Sequence, residues 1–515
     1  MKLHLPIGLR KALMAVFAVL AVSPAMAADT VISSDKTYSN GLTMSGDSDS
    51  NKIVSEGSIV KYWDGFLFWG EWKTLADLPG FIAGSTDPNV TVSSGDITMS
   101  TSKGYNAIVG AVTGDVGFNW AVLQFNAYGG RPTVTAENGN VLMDGPANAV
   151  MLGSTVTGKD ITLVNSQDNT ISVGTIASGV LGDFATNFMP AKLGEITGIF
   201  NIVQGSKLNA SGSVTMNTAT DSSVNNLKVN VIAGGRGNIT DIVSKYVGTK
   251  INSESLGDIA GAIINGMAED DFGSTITAGT NITMGGGASV IIDTTLSDLA
   301  AFAQNSKDLN TLLAGNKANS TPVTLTAGKD INLNSIINMA YAAQGGVNLS
   351  AGSNILAGGA LNVIGGKTTL TANNINLTPG TSVSINKLVG ELKQLGDFMP
   401  FDLSSITSDL GALANQNVNA SIVAGGAQLN AKAQETENGL VGGDIVLGGT
   451  AGIVVNTKVT DILNAAMNHL ATDDPHKMLF AKDVLMSGTK TSLVADRDIN
   501  MGAQLNVLHL SLIHI

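Results

Sequence analysis

The sequence predicts an all-β chain, a right-handed parallel β-helix (β-solenoid) with α-helical excursions. Three observations predict it. A short phrase returns nine times: GDITM at Gly95, GNVLM at Gly139, KDITL at Lys159, GSVTM at Gly212, TNITM at Thr280, KDINL at Lys329, NNINL at Asn373, GDIVL at Gly443 and RDINM at Arg497. Each begins with Gly, Asp or Asn turn chemistry and continues with apolar residues at alternate positions, the pattern of a strand with one buried face. Strands so short cannot stand alone and must stack on copies of themselves.

The second observation is composition. With 61 Gly, 43% hydrophobic and 13% charged residues, the chain is too apolar to be disordered and too glycine-rich for a helical domain. The third is the dense stretch VNLSAGSNILAGGALNVIGGKTTLTANNINLTPGTSVSI. In it the pairs Val347/Leu349, Leu361/Val363, Ile375/Leu377 and Val383/Ile385 alternate between Gly-Gly, Asn-Asn and Pro-Gly breaks. These strands are too close for crossover helices and lack Asn-Gly hairpin chemistry, which leaves coiling in one direction. Asn332, Asn348, Asn362 and Asn376 then either stack as ladders or simply face solvent.

From the N-terminus, Lys2, Arg10 and Lys11 precede an apolar run from Ala12 to Val22, a Ser23-Pro24 break and the small-x-small site Ala25-Met26-Ala27. This is the pattern of a signal peptide over 1–27, too short to span a bilayer, and predicts export through the periplasm to the cell surface or medium. Residues 28–90 are expected to form an N-terminal cap with an aromatic cluster, and 91–508 the solenoid. The phrase recurs at uneven intervals, and helical spacing such as Leu388, Leu392 and Leu395 predicts insertions near 183–203, 239–267, 294–316, 385–415 and 458–472. Leu510–Ile515 reads LSLIHI, which CTG TCT CTT ATA CAC ATC encodes, a string resembling a transposase mosaic end used as a sequencing adapter. The expectation is therefore an adapter-derived tail over 509–515 and a natural chain that continues past about Leu508.

A chain with 0 Cys must be held together by stacking instead of disulfides. Its formal net charge of -13 gives no attraction to nucleic acid or anionic lipid. Tyr62, Trp63, Phe66, Phe68, Trp69 and Trp72 hold three of the chain's 4 Trp and are read either as a sugar-stacking ligand patch or as a hydrophobic lid on the first coil.

Catalytic chemistry is thinly supplied. A polysaccharide lyase or glycosidase requires paired carboxylates, or carboxylates holding Ca²⁺ beside a base. The mature chain has only Arg131, Arg236 and Arg497 as arginines, and its histidines are His469, His476, His509 and His514. Glu269-Asp270-Asp271 and Asp473-Asp474 border expected helices and read as solvated loops, and His476 beside Asp473-Asp474 lacks a spaced partner ligand. Gly234-Gly235-Arg236-Gly237-Asn238 is a single copy of a glycine-rich calcium-type motif that works only in tandem. No catalytic residue, metal ligand or cofactor is assigned.

AGKDINL at Ala327, AGSNILAGGALNV at Ala351 and GGDIVLGGTAGIVV at Gly442, with the signal peptide and the missing cysteines, resemble the passenger repeats of filamentous-haemagglutinin-like adhesins and autotransporters of Gram-negative bacteria. The similarity covers Gly95 to Val507 as a pattern. It implies a right-handed β-helical stalk exported by an outer-membrane β-barrel translocator, in cis or in trans. The Asn-Pro-Asn motif of separately encoded systems is absent, Pro88-Asn89 being the nearest dipeptide, which favours a fused barrel. The expected function is a non-catalytic surface passenger in adhesion or cell contact, with a host or bacterial surface glycan or protein as partner and no nucleic acid. The alternatives are a β-helical polysaccharide lyase or glycosidase, and a structural biofilm or surface filament.

Overall fold

The computed structural model describes residues 30–46, 50–55, 58–66, 69–78, 87–110, 116–120, 123–127, 131–172, 175–176, 197–217, 228–234, 273–293, 321–384, 417–456 and 490–509. The strands at 58–66, 69–78, 116–120 and 123–127 are described by their backbone. Among the described residues the chain is all-β, with Thr175 and Ile176 alone helical. Nearly all strands lie in parallel, in-register ladders.

Three ladders run the length of the molecule. The third contains eleven strands: Leu42–Gly46, Ile97–Thr101, Val141–Asp144, Ile161–Val164, Val214–Met216, Ile282–Met284, Ile331–Leu333, Asn354–Ala357, Asn374–Leu377, Ile445–Leu447 and Ile499–Met501. All nine repeated phrases fall here, stacked in sequence order, with Asn354–Ala357 inserted between KDINL and NNINL. The two strands without a phrase are Leu42–Gly46 and Asn354–Ala357. Each third-ladder strand closes a tier that also holds one strand of each other ladder.

The first ladder starts at Thr30–Ile32 and Asn51–Val54 and ends on Leu505–His509. The second runs from Lys36–Tyr38 and Asn89–Val92 to Ser492–Ala495. In the long strands Ile337–Ala351 and Leu361–Ala372 the first two ladders join without a break, with a register shift between Ala342 and Val347. Residues 30–54, expected as part of a cap, already pair within the ladders as ordinary tiers, because Leu42 and Met44 carry the same inward pattern as Ile97 and Met99.

Alternation puts every second side chain inside, and one continuous core holds inward residues of all three ladders, such as Ile108, Val156 and Leu163. Stacking supplies most of the burial. Ile445, held between Ile375 of one tier and Ile499 of the next, is 0% exposed. The turns between second and third ladders are close-packed: a Cβ on Gly328 would sit 2.1 Å from the Gly279 carbonyl oxygen, and one on Gly352 would sit 2.2 Å from that of Gly328. Only glycine lets those turns approach so closely.

Polar groups inside the first ladder are satisfied by stacking upon themselves. The Nδ2 of Asn51 donates to Asn106, Asn106 to Asn148 and Asn148 to Asn201, each at 2.8 Å, and Asn201 donates to Asn230 at 3.0 Å. Ser289 interrupts the row; it resumes with Asn338 donating to Asn362 at 2.9 Å. The four asparagines singled out from sequence are scattered: Asn332 and Asn376 occupy outward positions of the third ladder, Asn348 one of the second, and Asn362 alone belongs to the internal row. The ladder exists, but its members are others, because an inward Asn at alternate spacing has the same sequence signature as a solvated one.

Segments that interrupt the tiers leave mostly beside the first ladder. Stretches 55–88, 110–132, 234–273, 293–322 and 456–491 separate first-ladder from second-ladder strands, and 165–196, 217–227 and 378–419 lead from the third ladder to the next first-ladder strand. Where described, these segments are short strands, turns and the single helical step Thr175–Ile176. Thr197–Gln204, placed within the insertion near 183–203, is a first-ladder strand whose Phe200, Ile202 and Val203 are buried. The helical period read there came from residues buried on both faces of a strand, which leave no alternation to see. The rest of that insertion and those near 239–267, 294–316, 385–415 and 458–472 lie outside the described residues, as do the signal peptide and residues 510–515. Antiparallel pairs close the necks of two segments: Ile171 opposite Gly198, and Val383 opposite Val418.

Asp293 anchors another neck. Its buried carboxylate accepts backbone N–H groups of Ala343 and Gln344 at 2.8 Å, Gly345 at 2.5 Å and Gly346 at 3.2 Å. Four donors on one carboxylate fix the turn at which the register shifts.

Replacing Asn148 with Ala breaks two links of the row and is expected to destabilise its tiers by about 1–3 kcal/mol, against less than about 0.5 kcal/mol for Thr157→Ala on the outer surface; denaturant midpoints measure both. Asp293→Ala is expected to speed amide exchange at Ala343–Gly346 selectively, and uniform exchange there in the variant and parent would contradict the anchoring role.

Candidate functional site

The aromatic cluster lies on a hairpin that leaves the second tier. Ser58–Phe66 and Trp69–Leu78 pair antiparallel, with Trp63 opposite Trp72, Phe66 opposite Trp69 and Tyr62 opposite Lys73. Phe68 lies outside the described residues. A second hairpin, Val116–Trp120 with Leu123–Ala127, leaves the third tier and joins the first through Asn126 opposite Lys61. Two segments from neighbouring tiers thus make one four-stranded antiparallel sheet. Period-2 spacing through Ser58–Leu78 could have announced the hairpin; the density of aromatics drew attention instead.

A shallow polar cleft of about 440 Å³ opens on the outer side of the third ladder. Its floor is the stacked column Ser45, Ser100 and Asp144, and its walls include Thr101, Ser102, Ser166 and Gln167. The Asp144 carboxylate accepts the Ser166 backbone N–H at 3.0 Å and its hydroxyl at 2.6 Å, and the Asn169 amide donates to the Ser102 carbonyl at 2.7 Å. One carboxylate turned toward a serine pins a loop; it does not make the pair of carboxyl groups that glycoside hydrolysis needs. Glu269, Asp270, Asp271, Asp473, Asp474 and His476 lie outside the described residues, as do Gly235 to Asn238.

The outward faces of the ladders differ sharply. On the first, outward residues such as Ala107, Ala149, Val231 and Val290 are buried in a second apolar cluster. On the second they are mostly hydroxyls and amides. One column reads Asn89, Thr133, Thr155, Lys207, Thr275, Thr324, Asn348, Thr369, Gln428 and Ser492, one residue per tier. Its neighbour reads Thr37, Thr91, Thr135, Thr157, Asn209, Thr277, Thr326, Ser350, Thr371, Asn430 and Val494. All are half-exposed or exposed. Among these positions Lys207 alone is charged. Sequence reasoning missed this surface, although the Thr-x-Thr signal stands in TVT at Thr133, TVT at Thr155, TIT at Thr275, TLT at Thr324 and TLT at Thr369.

Asp144→Ala is expected to raise amide exchange at Ser166 roughly tenfold while leaving core strands protected; unchanged exchange would show that the carboxylate does not hold the loop.

No protein-family model, curated protein or solved structure matches the chain, so function is argued from geometry.

Proposed function

We propose that the chain is a non-catalytic, surface-exposed passenger acting in adhesion or cell contact, folded as a right-handed parallel β-helix with helical excursions and delivered by a signal peptide and an outer-membrane β-barrel translocator, in cis or in trans. The observation that carries the reading is the division of labour along the chain. Eleven tiers at ~4.8 Å each give a stalk of roughly 50 Å, and the aromatic hairpin projects from its second tier. Tiers built from local and next-neighbour pairings suit a chain that emerges from a pore end first, since each new tier finds its template in the last. With no disulfide to form, nothing cross-links the chain during passage.

A surface glycan or protein is the partner of the aromatic hairpin in this reading. A specific observation also favours a structural filament: the second ladder repeats one flat face tier after tier. The two differ in what the hairpin does.

Labelled mature protein is expected to bind bacterial or epithelial cells, or glycans on an array, and a version lacking residues 56–86 is expected to bind several-fold less with its β-sheet circular dichroism retained. Binding unchanged by the deletion, or self-assembly into fibres without cell binding, favours the filament. Release of unsaturated or reducing sugar from polysaccharide would overturn the non-catalytic assignment.

A further inference from the structure

We propose that the outward face of the second ladder is an ice-binding surface, whose ligand is the water lattice of crystalline ice. The proposal rests on the second-ladder columns alone and stands apart from the adhesive role of the hairpin.

Parallel strands repeat every ~4.8 Å along the stack, and alternate residues of one strand lie roughly 6.6 Å apart. Thr155 and Thr157 occupy one such pair of points, and Thr133 and Thr135 sit one tier away in direct register. Thr275, Thr277, Thr324 and Thr326 repeat the arrangement. Oxygen rows on the prism faces of hexagonal ice recur at intervals close to both spacings. A threonine in a strand has few χ1 choices, and stacking against its copy above and below removes more. Its hydroxyl donates and accepts, as a lattice water does, while its methyl group excludes disordered solvent. Each contact is weak, so binding requires many that are already in place, which a rigid array provides.

Charge and shape exclude other ligands. Within the two columns Lys207 is the single charged side chain, and Lys36 and Lys367 are the other exposed charges on the strands that carry them, too sparse and scattered a set to form a site for nucleic acid, phosphate or an ionic partner. It carries no outward aromatic ring on which a sugar could stack. The one-to-one pairing of Thr133–Ala136 with Thr155–Gly158, and of Ser274–Ala278 with Val323–Ala327, has no bulge, so the columns are straight there. Lys207 and Asn209 lie between those two threonine stretches and divide the array.

The division supplies the test. The mature chain is frozen slowly in dilute solution, and its fraction inside the ice is compared with that of a non-binding control protein; growth of ice crystals held just below melting is followed in parallel. The parent is expected to enter the ice and to slow crystal growth. Thr135→Tyr combined with Thr157→Tyr is expected to lower both effects several-fold with the thermal melt unchanged. Lys207→Thr combined with Asn209→Thr, by joining the two stretches, is expected to raise both, a gain that misfolding cannot mimic. Exclusion of the parent from ice, or equal behaviour of all three proteins, overturns the proposal. So does threonine-dependent pelleting with crystalline cellulose or chitin by a chain that ice excludes, which would assign the face to a polymer, or threonine-dependent dimerisation under the same exclusion, which would assign it to a second copy.

Discussion

In-register parallel pairing of one tier with the next constrains every other feature of the molecule. A strand of three to five residues has too few hydrogen bonds and too little buried surface to persist alone, so its stability comes from neighbours above and below. Because side chains alternate, a slip of one residue would turn Ile445 and Leu447 outward and bring Val446 into the core. The register therefore selects the residue at each point with single-residue precision. Ile445, stacked between Ile375 and Ile499, shows the result: it is 0% exposed.

Polar residues inside the stack follow from the same geometry. An isolated buried amide would lose its water hydrogen bonds without return. Repeated at strand spacing, the amide of Asn148 finds the oxygen of Asn201 while its own oxygen receives the amide of Asn106, so the row satisfies itself. Where Ser289 enters the row the reach is too short, and the Asn338 Oδ1 is left buried without a partner. Asp293 solves a different problem. The register shift between Ala342 and Val347 leaves a run of backbone N–H groups with no strand to accept them, and one carboxylate takes four.

The faces of the stack are specialised by what each ladder presents outward. Apolar outward residues on the first ladder are buried, and most of the interrupting segments depart at that ladder's ends. The second ladder keeps mostly hydroxyls and amides toward solvent, Lys207 and Val494 excepted. The same repeat can therefore carry a projecting hairpin at one place and a periodic polar surface at another without disturbing the core, since outward positions do not enter the register.

Nine of the eleven third-ladder strands were legible because each places two large apolar residues behind a Gly or Asx turn, a signal contained within five residues. Asn354–Ala357 escaped because Ala357 replaces the second large residue. The first ladder was illegible for a physical reason: Phe200, Asn201 and Ile202 are all buried, so the strand has no polar face and its asparagine resembles a surface residue. The threonine columns and the aromatic pairing of Trp63 with Trp72 likewise depend on which strands become neighbours. Sequence alone determined that this chain is a stack of short parallel strands closed by glycine and Asx turns, because backbone sterics and alternation act within a few residues. Tertiary structure alone decided which asparagines face inward, which segments leave the stack and which face is a flat hydroxyl array. Those outcomes depend on partners 24 to 55 residues away in the asparagine row, where local pattern carries no information.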